Sequence, residues 1–285
     1  MRRVRVYTTE AIVLKRQNLG EADRIVTLYT PDEGKLRAVA KGVRRPASRL
    51  AGHVELFSLS LVQLARGREL DVLTQADTRA AFRNVREDLT RTSQAYYALE
   101  LVDRFTPDRL EHRAIFHLLH ELLETLDGPV PSPLALHHFT LHALAALGYR
   151  PQLAECVLCQ AEIAPGNNYF SQPLGGVACP ACGPGEPTAQ SIPVNVLKTL
   201  RYLQRTPSLA SVRLAVAPEV LGGVEAVLRA YTEALIERRL RTGEFLDRLR
   251  LDARLRAADA APVPSDSAQP MEPEGAQLTA PGATA

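Results

Sequence analysis

Apolar and polar residues alternate in short runs through residues 8–77, and turns that contain glycine, proline or asparagine separate the runs. Alternation is typical of β-strands, because successive side chains of a strand point to opposite faces of the sheet. We predict five strands, over residues 11–16, 24–29, 35–41, 54–65 and 69–75. Five strands of this length suffice for a small closed or nearly closed barrel of the OB type, a common scaffold for nucleic-acid binding.

After Gln75 the apolar positions recur every three or four residues, which is the period of an amphipathic helix. Ser132 and Pro133 are residues that favour a helix N-terminus, and Gly148 is one that favours a helix end. We predict helices over residues 85–105, 111–126, 132–148, 193–205 and 219–256.

These segments predict a multidomain α+β protein without internal repeats. The final segment lacks periodic apolar residues and is rich in alanine and proline, so we expect it to be disordered. The predicted organisation is an OB-fold barrel over residues 1–80, a helical domain over 81–150 and 188–256, an inserted zinc module over 151–187, and a tail over 257–285.

Composition indicates where the protein is located and shows that its charge is unevenly distributed along the chain. The chain has 285 residues, of which 46% are hydrophobic and 23% charged, as in ordinary globular proteins. We find no signal-peptide core and no run long enough to span a membrane, and so predict a cytoplasmic protein. The net charge is +2, but residues 1–80 carry +6 and the remainder −4. The electropositive part of the chain is therefore its predicted barrel.

Four cysteines carry the strongest motif. Two Cys-x2-Cys pairs are separated by nineteen residues, and the four thiols belong to Cys156, Cys159, Cys179 and Cys182. Two such turns complete a tetrahedron around one Zn²⁺ and leave no open position for a substrate water. The sequence thus predicts one structural zinc ion. The alternatives are a disulfide or redox pair, which is unexpected in reducing cytosol, and plain buried thiols.

A run of cations lies in and after the third predicted strand. Between Glu33 and Glu55 there is no acidic residue, while six cations occur, namely Lys35, Arg37, Lys41, Arg44, Arg45 and Arg49. We predict that they contact nucleic-acid phosphates, and the alternative is an ordinary solvated face. Residues 1–80 hold only three aromatic residues, so base stacking is scarce. Phosphate neutralisation with weak sequence preference, on single and double strands, is the expected mode.

Catalytic motifs are missing from the sequence. Six of the seven histidines fall within residues 112–142, but neither His-Glu-x-x-His nor His-x-x-Glu-His occurs among them. We interpret them as solvated or packed helical histidines. A phosphate-binding P-loop and a Gly-x-Ser-x-Gly nucleophile motif are also missing, so we predict a protein that is not an enzyme.

Several short motifs lie in the strand-rich and cysteine-rich regions. They are EADR at 21–24 leading into IVTLY at 25–29, GKLR at 34–37, AKGVRR at 40–45, FS at 170–171, GG at 175–176 and CPAC at 179–182. Together they resemble the RecO family of bacterial recombination mediators, over about residues 8–250. The resemblance implies an OB-fold, a helical body and, in some members, a four-cysteine zinc module.

The same resemblance implies a function in DNA repair and homologous recombination. It implies binding of single- and double-stranded DNA, annealing of complementary strands, association with RecR and with single-strand-binding protein, and thereby loading of RecA, in a nucleoid-associated location. The residues by themselves leave two alternatives open. One is an RNA-binding factor with the same barrel and ribbon, and the other is a structural adaptor whose basic strand is incidental.

Overall fold

Five N-terminal strands form a closed barrel in the computed structural model, which describes residues 6–236 and Thr242. In chain order the strands are β1 (Val6–Leu19), β2 (Asp23–Thr30), β3 (Gly34–Ala40), β4 (Leu59–Ala65) and β5 (Asp71–Ala80). Their order around the sheet is β1-β2-β3-β5-β4, and β4 pairs back with β1. Only the β3–β5 contact is parallel. The predicted N-terminal sheet of five strands is confirmed.

The long first strand closes the barrel because it pairs with two neighbours. Its register with β2 shifts between Val13 and Lys15, and such a bulge bends a strand and increases its twist. Both faces of this stretch are covered. Ala11 and Val13 belong to the interior of the barrel, whereas Ile12 and Leu14 belong to the core of the helical body. The barrel is therefore packed directly against the helices.

Two apolar cores result from this arrangement. The barrel interior is built from alternate strand residues such as Val26, Leu28 and Leu64. A larger core joins the helices, the cysteine-rich segment and the outer side of the barrel, to which Tyr29 and Phe57 contribute. Every strand buries one face in the barrel core, and β1, β2 and β4 also bury part of the other face in the larger core. This fixes the register, since a one-residue slip would exchange the two faces.

The fourth strand is shorter than predicted. Residues 54–58 lie outside it, and Phe57 has a φ of 70°, a left-handed conformation that cannot continue a strand. Its ring packs edge-on against Tyr96 at 4.9 Å between ring centroids. The apolar residues that suggested strand here instead contact the helical body. In contrast, β5 extends five residues beyond its predicted end at Gln75.

The first predicted helix is divided in two. The helical body begins with α1 (Arg83–Glu87) and α2 (Leu89–Phe105), and extended Asp88 lies between them. The Asp88 carboxylate accepts a hydrogen bond of 2.8 Å from the Arg91 N–H, so it caps α2. The break therefore has a local cause that an apolar stripe does not reveal.

The other helices lie close to their predicted positions. They are α3 (Arg113–Asp127), α4 (Ala135–Ala146), α5 (Val194–Arg205) and α6 (Pro218–Ile236). Of the predicted helix over 219–256, the part after 236 lies outside the described residues except for Thr242, and the predicted tail 257–285 lies outside them entirely. No helix within the described ranges is long and apolar enough to cross a membrane.

A small sheet follows α4 and carries the cysteine-rich segment. It consists of β6 (Asn168–Ser171), β7 (Gly176–Ala178) and β8 (Ala189–Ile192), in the order β7-β6-β8. Phe170 and Val177 from this sheet are buried in the core that includes the helices. The segment is thus anchored to the helical body through side chains as well as through its two chain connections.

Candidate nucleic-acid interface and metal centre

The β3 strand presents one face to the barrel interior and the other outward. Leu36, Ala38 and Ala40 are buried in the barrel core. Arg37, which lies between them in the sequence, is exposed on the outer face and is in register with Thr27 of β2. Strand alternation thus places this cation in solvent, as the sequence predicted.

The loop after β3 is held in a defined conformation. The Gly42 N–H donates to the Asp23 side chain at 2.7 Å, and the Arg44 N–H donates to the Ala22 carbonyl oxygen at 2.9 Å. Gly42 has a φ of 63°, which glycine adopts without a steric penalty. These bonds fasten the loop to the turn between β1 and β2. The cations of the loop are consequently mounted on an ordered backbone.

Five of the six predicted phosphate contacts have exposed side chains. They are Arg37, Lys41, Arg44, Arg45 and Arg49, hereafter the barrel cations. Within the part of the chain that the structure describes, none of the five forms an ion pair with a carboxylate. One of them, Arg44, also donates from Nη1 to the Gly20 carbonyl oxygen at 3.0 Å. Their charges are therefore available to an anion.

Lys35 differs from this expectation. Its side chain is buried, and Nζ lies 2.5 Å from the Asp103 carbonyl oxygen, 3.4 Å from Asp103 Oδ1 and 3.6 Å from Asp108 Oδ1. The Arg109 N–H also donates to the Lys35 carbonyl oxygen at 2.7 Å. Because two carboxylates already neutralise Lys35, it is unsuited to a phosphate. Its position departs from the expected exposed cation and makes it a tie between β3 and the helical body.

Asp103 of α2 is the centre of that tie. It also accepts a hydrogen bond from Lys15 of β1 at 2.5 Å. Burial acts to raise the pKa of Asp103, but the two ammonium groups of Lys15 and Lys35 outweigh burial and lower it. The aspartate is thus held ionised between two strands of the barrel.

The turn between β4 and β5 adds cations that sequence reasoning missed. Arg66 and Arg68 line a groove together with Arg37. Arg66 is bound by both oxygens of Glu33, at 2.5 and 3.2 Å, whereas Arg68 is exposed and has no ion pair within the described ranges. The sequence showed this segment only as a turn. The sequence does contain a signal for these phosphate-contact candidates, namely two arginines in a predicted turn near the cationic strand.

The far wall of the groove is a rigid cluster around Asp71. Its carboxylate is 1% exposed and accepts hydrogen bonds from the Tyr7 hydroxyl at 2.5 Å and from Arg109 at 2.8 Å. Burial, followed by the hydrogen bond to Asp71, raises the pKa of Tyr7 to about 12. Burial would raise the pKa of Asp71, but the Tyr7 and Arg109 contacts lower it. This wall is neutralised internally.

The four cysteines converge as predicted. Their sulfur atoms all lie within 4.8 Å of one another, and Cys159 Sγ is 3.8 Å from Cys179 Sγ. A tetrahedral Zn²⁺ with bonds of about 2.3 Å requires sulfur separations of about 3.8 Å. Cys156 is buried and Cys159 is exposed. Among the described residues this is the one cluster of ligand side chains with metal-site geometry.

Backbone hydrogen bonds prepare the cysteine turns for thiolates. Burial acts to raise the pKa of Cys156, but N–H groups of Cys159, Cys179 and Leu158 directed at its sulfur lower the pKa to about 6. Contacts with the sulfurs of Cys179 and Cys159 raise the pKa of Cys182 to about 12. Four neighbouring sulfurs ionise together only when a cation offsets their repulsion, and this is the environment that suits a bound divalent metal.

A glycine allows the second cysteine turn to lie flat against the sheet. A Cβ on Gly183, directly after Cys182, would come within 2.2 to 2.8 Å of the Tyr169 ring and its Cβ. The Gly183 N–H donates to the Cys179 carbonyl oxygen at 2.8 Å, which closes the turn. Close contact with β6 is thus the reason for a glycine at this position.

The histidines of α4 make packing contacts. His138 and His142 stack with 4.1 Å between ring centroids, and their Nε2 atoms lie 2.9 and 3.1 Å from the Thr206 and Leu203 carbonyl oxygens. Both rings thus bind the end of α5. Burial lowers the pKa of His138, which favours the neutral ring. Packed helical histidines are what the sequence predicted.

The chain is an α+β protein in which a five-stranded barrel with outward cations packs on a helical body that carries a four-cysteine centre. Two family profiles match this chain. "Recombination protein O N terminal" matches residues 1–82, and "Recombination protein O C terminal" matches residues 86–244. The chain belongs to the recombination protein O family, and the resemblance inferred from its motifs is confirmed.

Curated relatives are similar over nearly their whole length. A protein of Roseiflexus sp. named DNA repair protein RecO is 42% identical over 265 residues, which cover 93% of each chain. Proteins with the same name from Symbiobacterium thermophilum and Dehalococcoides mccartyi are 40% and 38% identical, over 86% of this chain and 98% and 96% of theirs. The similarity includes both the barrel and the helical body.

Proposed function

We propose that this protein is a non-enzymatic mediator of DNA repair and homologous recombination, located in the cytoplasm with the nucleoid, that binds single- and double-stranded DNA through the barrel cations. The observation that carries the proposal is five exposed cations on β3 and the loop after it, without ion pairs in the described residues. Membership of the recombination protein O family and the names of the relatives support the same role.

The barrel is proposed to be an OB fold. Its strand order, closed in the sequence β1-β2-β3-β5-β4, is that of a five-stranded Greek-key barrel. OB folds bind oligonucleotides on the face of strands 2 and 3 and with the loops after strands 1 and 4. Arg37 lies on β3, and Arg66 and Arg68 form the loop after β4. Arg37, Arg66 and Arg68 therefore occupy positions from which this fold contacts nucleic acid, and the other four barrel cations lie on the adjoining loop after β3.

Annealing is proposed to follow from charge screening. Two nucleic-acid strands repel each other through their phosphates, and cations bound to one strand reduce that repulsion so that base pairing drives the association. If the five barrel cations each neutralise one phosphate, the log–log salt slope of binding should be roughly −3.5 for single strands and −4.5 for duplex. The family resemblance further suggests that RecR and single-strand-binding protein are partners and that RecA is loaded as a result.

The metal is proposed to be one structural Zn²⁺ held by Cys156, Cys159, Cys179 and Cys182. The sulfur spacing and the all-thiolate donor set fit zinc, which would complete a closed tetrahedral shell. The two cysteine turns bind it, and the small sheet positions them. Metal binding by such modules stabilises the fold by about 10 kcal/mol or more. Purified protein should contain one zinc per chain, and a ratio near zero would contradict the assignment.

A salt-dependent binding and annealing assay tests the function. Wild-type protein should bind labelled single strands more weakly as salt rises and should accelerate the annealing of complementary strands. A flat salt response or no acceleration would refute the proposal. Preference for RNA over DNA of the same sequence would favour an RNA-binding factor. Binding to neither polymer would leave a structural adaptor.

A further inference from the structure

The α5 helix buries one face and presents cations on the other. Leu197, Leu200 and Leu203 are buried in the large core. Lys198 and Arg205 are exposed on the opposite side, and half-buried Arg201 lies between them, three residues from one and four from the other. Side chains at these spacings are neighbours along one helix face. The outer side of α5 is therefore a strip of like charge.

The cysteine-rich segment holds the middle of this strip. Arg201 donates from Nε to the Leu153 carbonyl oxygen at 2.8 Å, and its guanidinium also contacts the Ile163 carbonyl oxygen at 3.4 Å. The next turn of α5 is bound in the same way, since the Gln204 side chain donates to the Pro151 carbonyl oxygen at 2.9 Å. Three backbone carbonyls of residues 151–163 thus fix the side chains of α5.

Two grooves flank the strip, and both are lined by Arg201 and Arg205. One also contains Lys198 and Tyr202 from α5, and the other contains Arg150 and the backbone of the cysteine-rich segment. None of the four cations forms an ion pair with a carboxylate among residues 6–236 and Thr242. Unlike the pairs around Asp71 and Asp103, these charges are left for an external anion.

Electrostatics within the strip favour such an anion. Burial lowers the pKa of Arg201, and the neighbouring Arg205 guanidinium lowers it further, whereas Glu162 acts in the opposite direction without forming an ion pair. Two close cations without a bound counterion repel each other, and a phosphate between them would relieve that repulsion. From Lys198 to Arg205 the helix rises about 10 Å, the length over which one strand of a DNA double helix carries about three phosphates.

We propose that Arg150, Lys198, Arg201 and Arg205 form a second surface that binds the phosphodiester backbone of a nucleic-acid strand, and that the metal centre keeps it assembled. The inference rests on the proposed annealing function and extends it, since a protein that holds both strands brings them together in addition to screening their charge. The barrel cations take one strand, and the α5 surface takes the other. A repeating polyanion suits an extended cationic strip with grooves on both sides.

The link to the metal follows from where the ligands lie. Cys156 is three residues from Leu153, and its N–H donates to the Ala161 carbonyl oxygen at 2.8 Å. The Ile163 N–H donates to the Ala154 carbonyl oxygen at 2.9 Å, so the first cysteine turn sets the spacing of the two carbonyls that hold Arg201. Without metal this turn loses its cross-link to the second one, and Arg201 loses its fixed acceptors.

A two-strand experiment on the full chain tests the proposal. Two non-complementary single-stranded oligonucleotides carry a donor and an acceptor fluorophore, and energy transfer reports their binding to one protein. Wild type should give transfer. The double variant Arg201→Gln, Arg205→Gln should still bind one strand but weaken the second at least about 10-fold, with a salt slope smaller by about 1.4. Arg83→Gln on α1 removes an exposed cation outside both grooves and serves as the matched control.

The outcomes separate this inference from the proposed function. No binding of either strand by wild type would refute the function itself. One bound strand in wild type, or two in the double variant, would overturn the second surface and leave the function standing. The double variant could instead lose binding to polyglutamate and still bind two strands. That result would assign the surface to an acidic peptide.

The metal dependence has its own arm. Removal of zinc with a chelator should abolish second-strand binding and preserve first-strand binding by the barrel cations. Arg201→Lys, which keeps the charge but lacks the guanidinium that reaches two carbonyls, should show an intermediate loss in the loaded protein. Two-strand binding that survives both treatments would overturn the link between metal and surface. Circular dichroism of the chelated protein shows whether the helical body persists.

Discussion

The outer side of the barrel carries similar cations in two regions that differ in what lies next to them. Lys15 and Lys35 face α2, where Asp103 pairs with both of them and Asp108 approaches Lys35. The barrel cations face solvent and have no carboxylate partner within the described part of the chain. The first region is an internal joint, and the second is a surface for an external anion. The same kind of residue therefore has opposite roles, which its tertiary neighbours decide.

Reversing charge in the open region should give the largest effect. The variant Arg37→Glu, Arg44→Glu, Arg45→Glu replaces three attractions to phosphate with three repulsions, so DNA affinity should fall by at least about 100-fold at moderate salt. Fluorescence anisotropy measures this loss, and thermal unfolding should stay near that of wild type because the three side chains are exposed. A reversal of Arg83 on α1 is the control. An equal loss of DNA affinity in the Arg83 control would contradict a specific role for the barrel cations.

Breaking the internal joint should change stability before it changes binding. Lys35→Met leaves Asp103 partly buried with only Lys15 as partner, so the free energy of unfolding should fall by about 2 kcal/mol. Urea denaturation measures the change. The double variant Lys35→Met, Asp103→Leu should recover part of the loss, because the uncompensated carboxylate is gone. Unchanged stability together with weak DNA binding would show that Lys35 contacts phosphate after all.

Salt dependence should distinguish the two regions one residue at a time. Arg37→Gln removes one phosphate contact, so the magnitude of the log–log salt slope should fall by about 0.7 for single strands. Lys35→Met should leave that slope unchanged, since its charge never displaces a counterion from DNA. Binding titrations between low and moderate salt measure both slopes. Equal decreases of the salt slope in Arg37→Gln and Lys35→Met would show that both residues contact phosphate.

Lowering the pH should weaken the joint between β1, β3 and α2 by protonating Asp103. This is the smallest of the expected effects at neutral pH, where Asp103 stays ionised. The folded pKa of Asp103 lies below its unfolded value, so the stability it contributes is complete above the unfolded value of about 3.9 and is lost as the pH falls through the lowered folded pKa. Asp71 behaves in the same way. Asp103→Asn should remove the part of the pH dependence of the free energy of unfolding that Asp103 causes at acid pH. Near pH 7 the free energy of unfolding of the variant should differ from that of wild type by a constant amount. An unaltered acid profile would contradict the pairing.

Much of the molecule followed from local patterns. The alternating residues of β3 and β4 predicted strands, the apolar stripes of α3 and α5 predicted helices, and the two Cys-x2-Cys turns predicted a convergent cluster. Each of these signals depends on neighbouring positions in the chain or on a motif with a fixed chemistry. The break at Asp88 and the turn at Phe57 were missed because a side-chain cap and a left-handed residue leave no mark on an apolar pattern.

The amino-acid sequence alone determined that cations cluster in and after β3 and that four thiols share one metal-type site. Tertiary structure decided which cations remain available, because Asp103 and Asp108 approach Lys35 from a region about seventy residues away in the chain. It also placed Arg201 against the backbone of the cysteine-rich segment. Electrostatic neutralisation depends on distance in space, and only the packed fold sets the distance between residues that are remote in sequence.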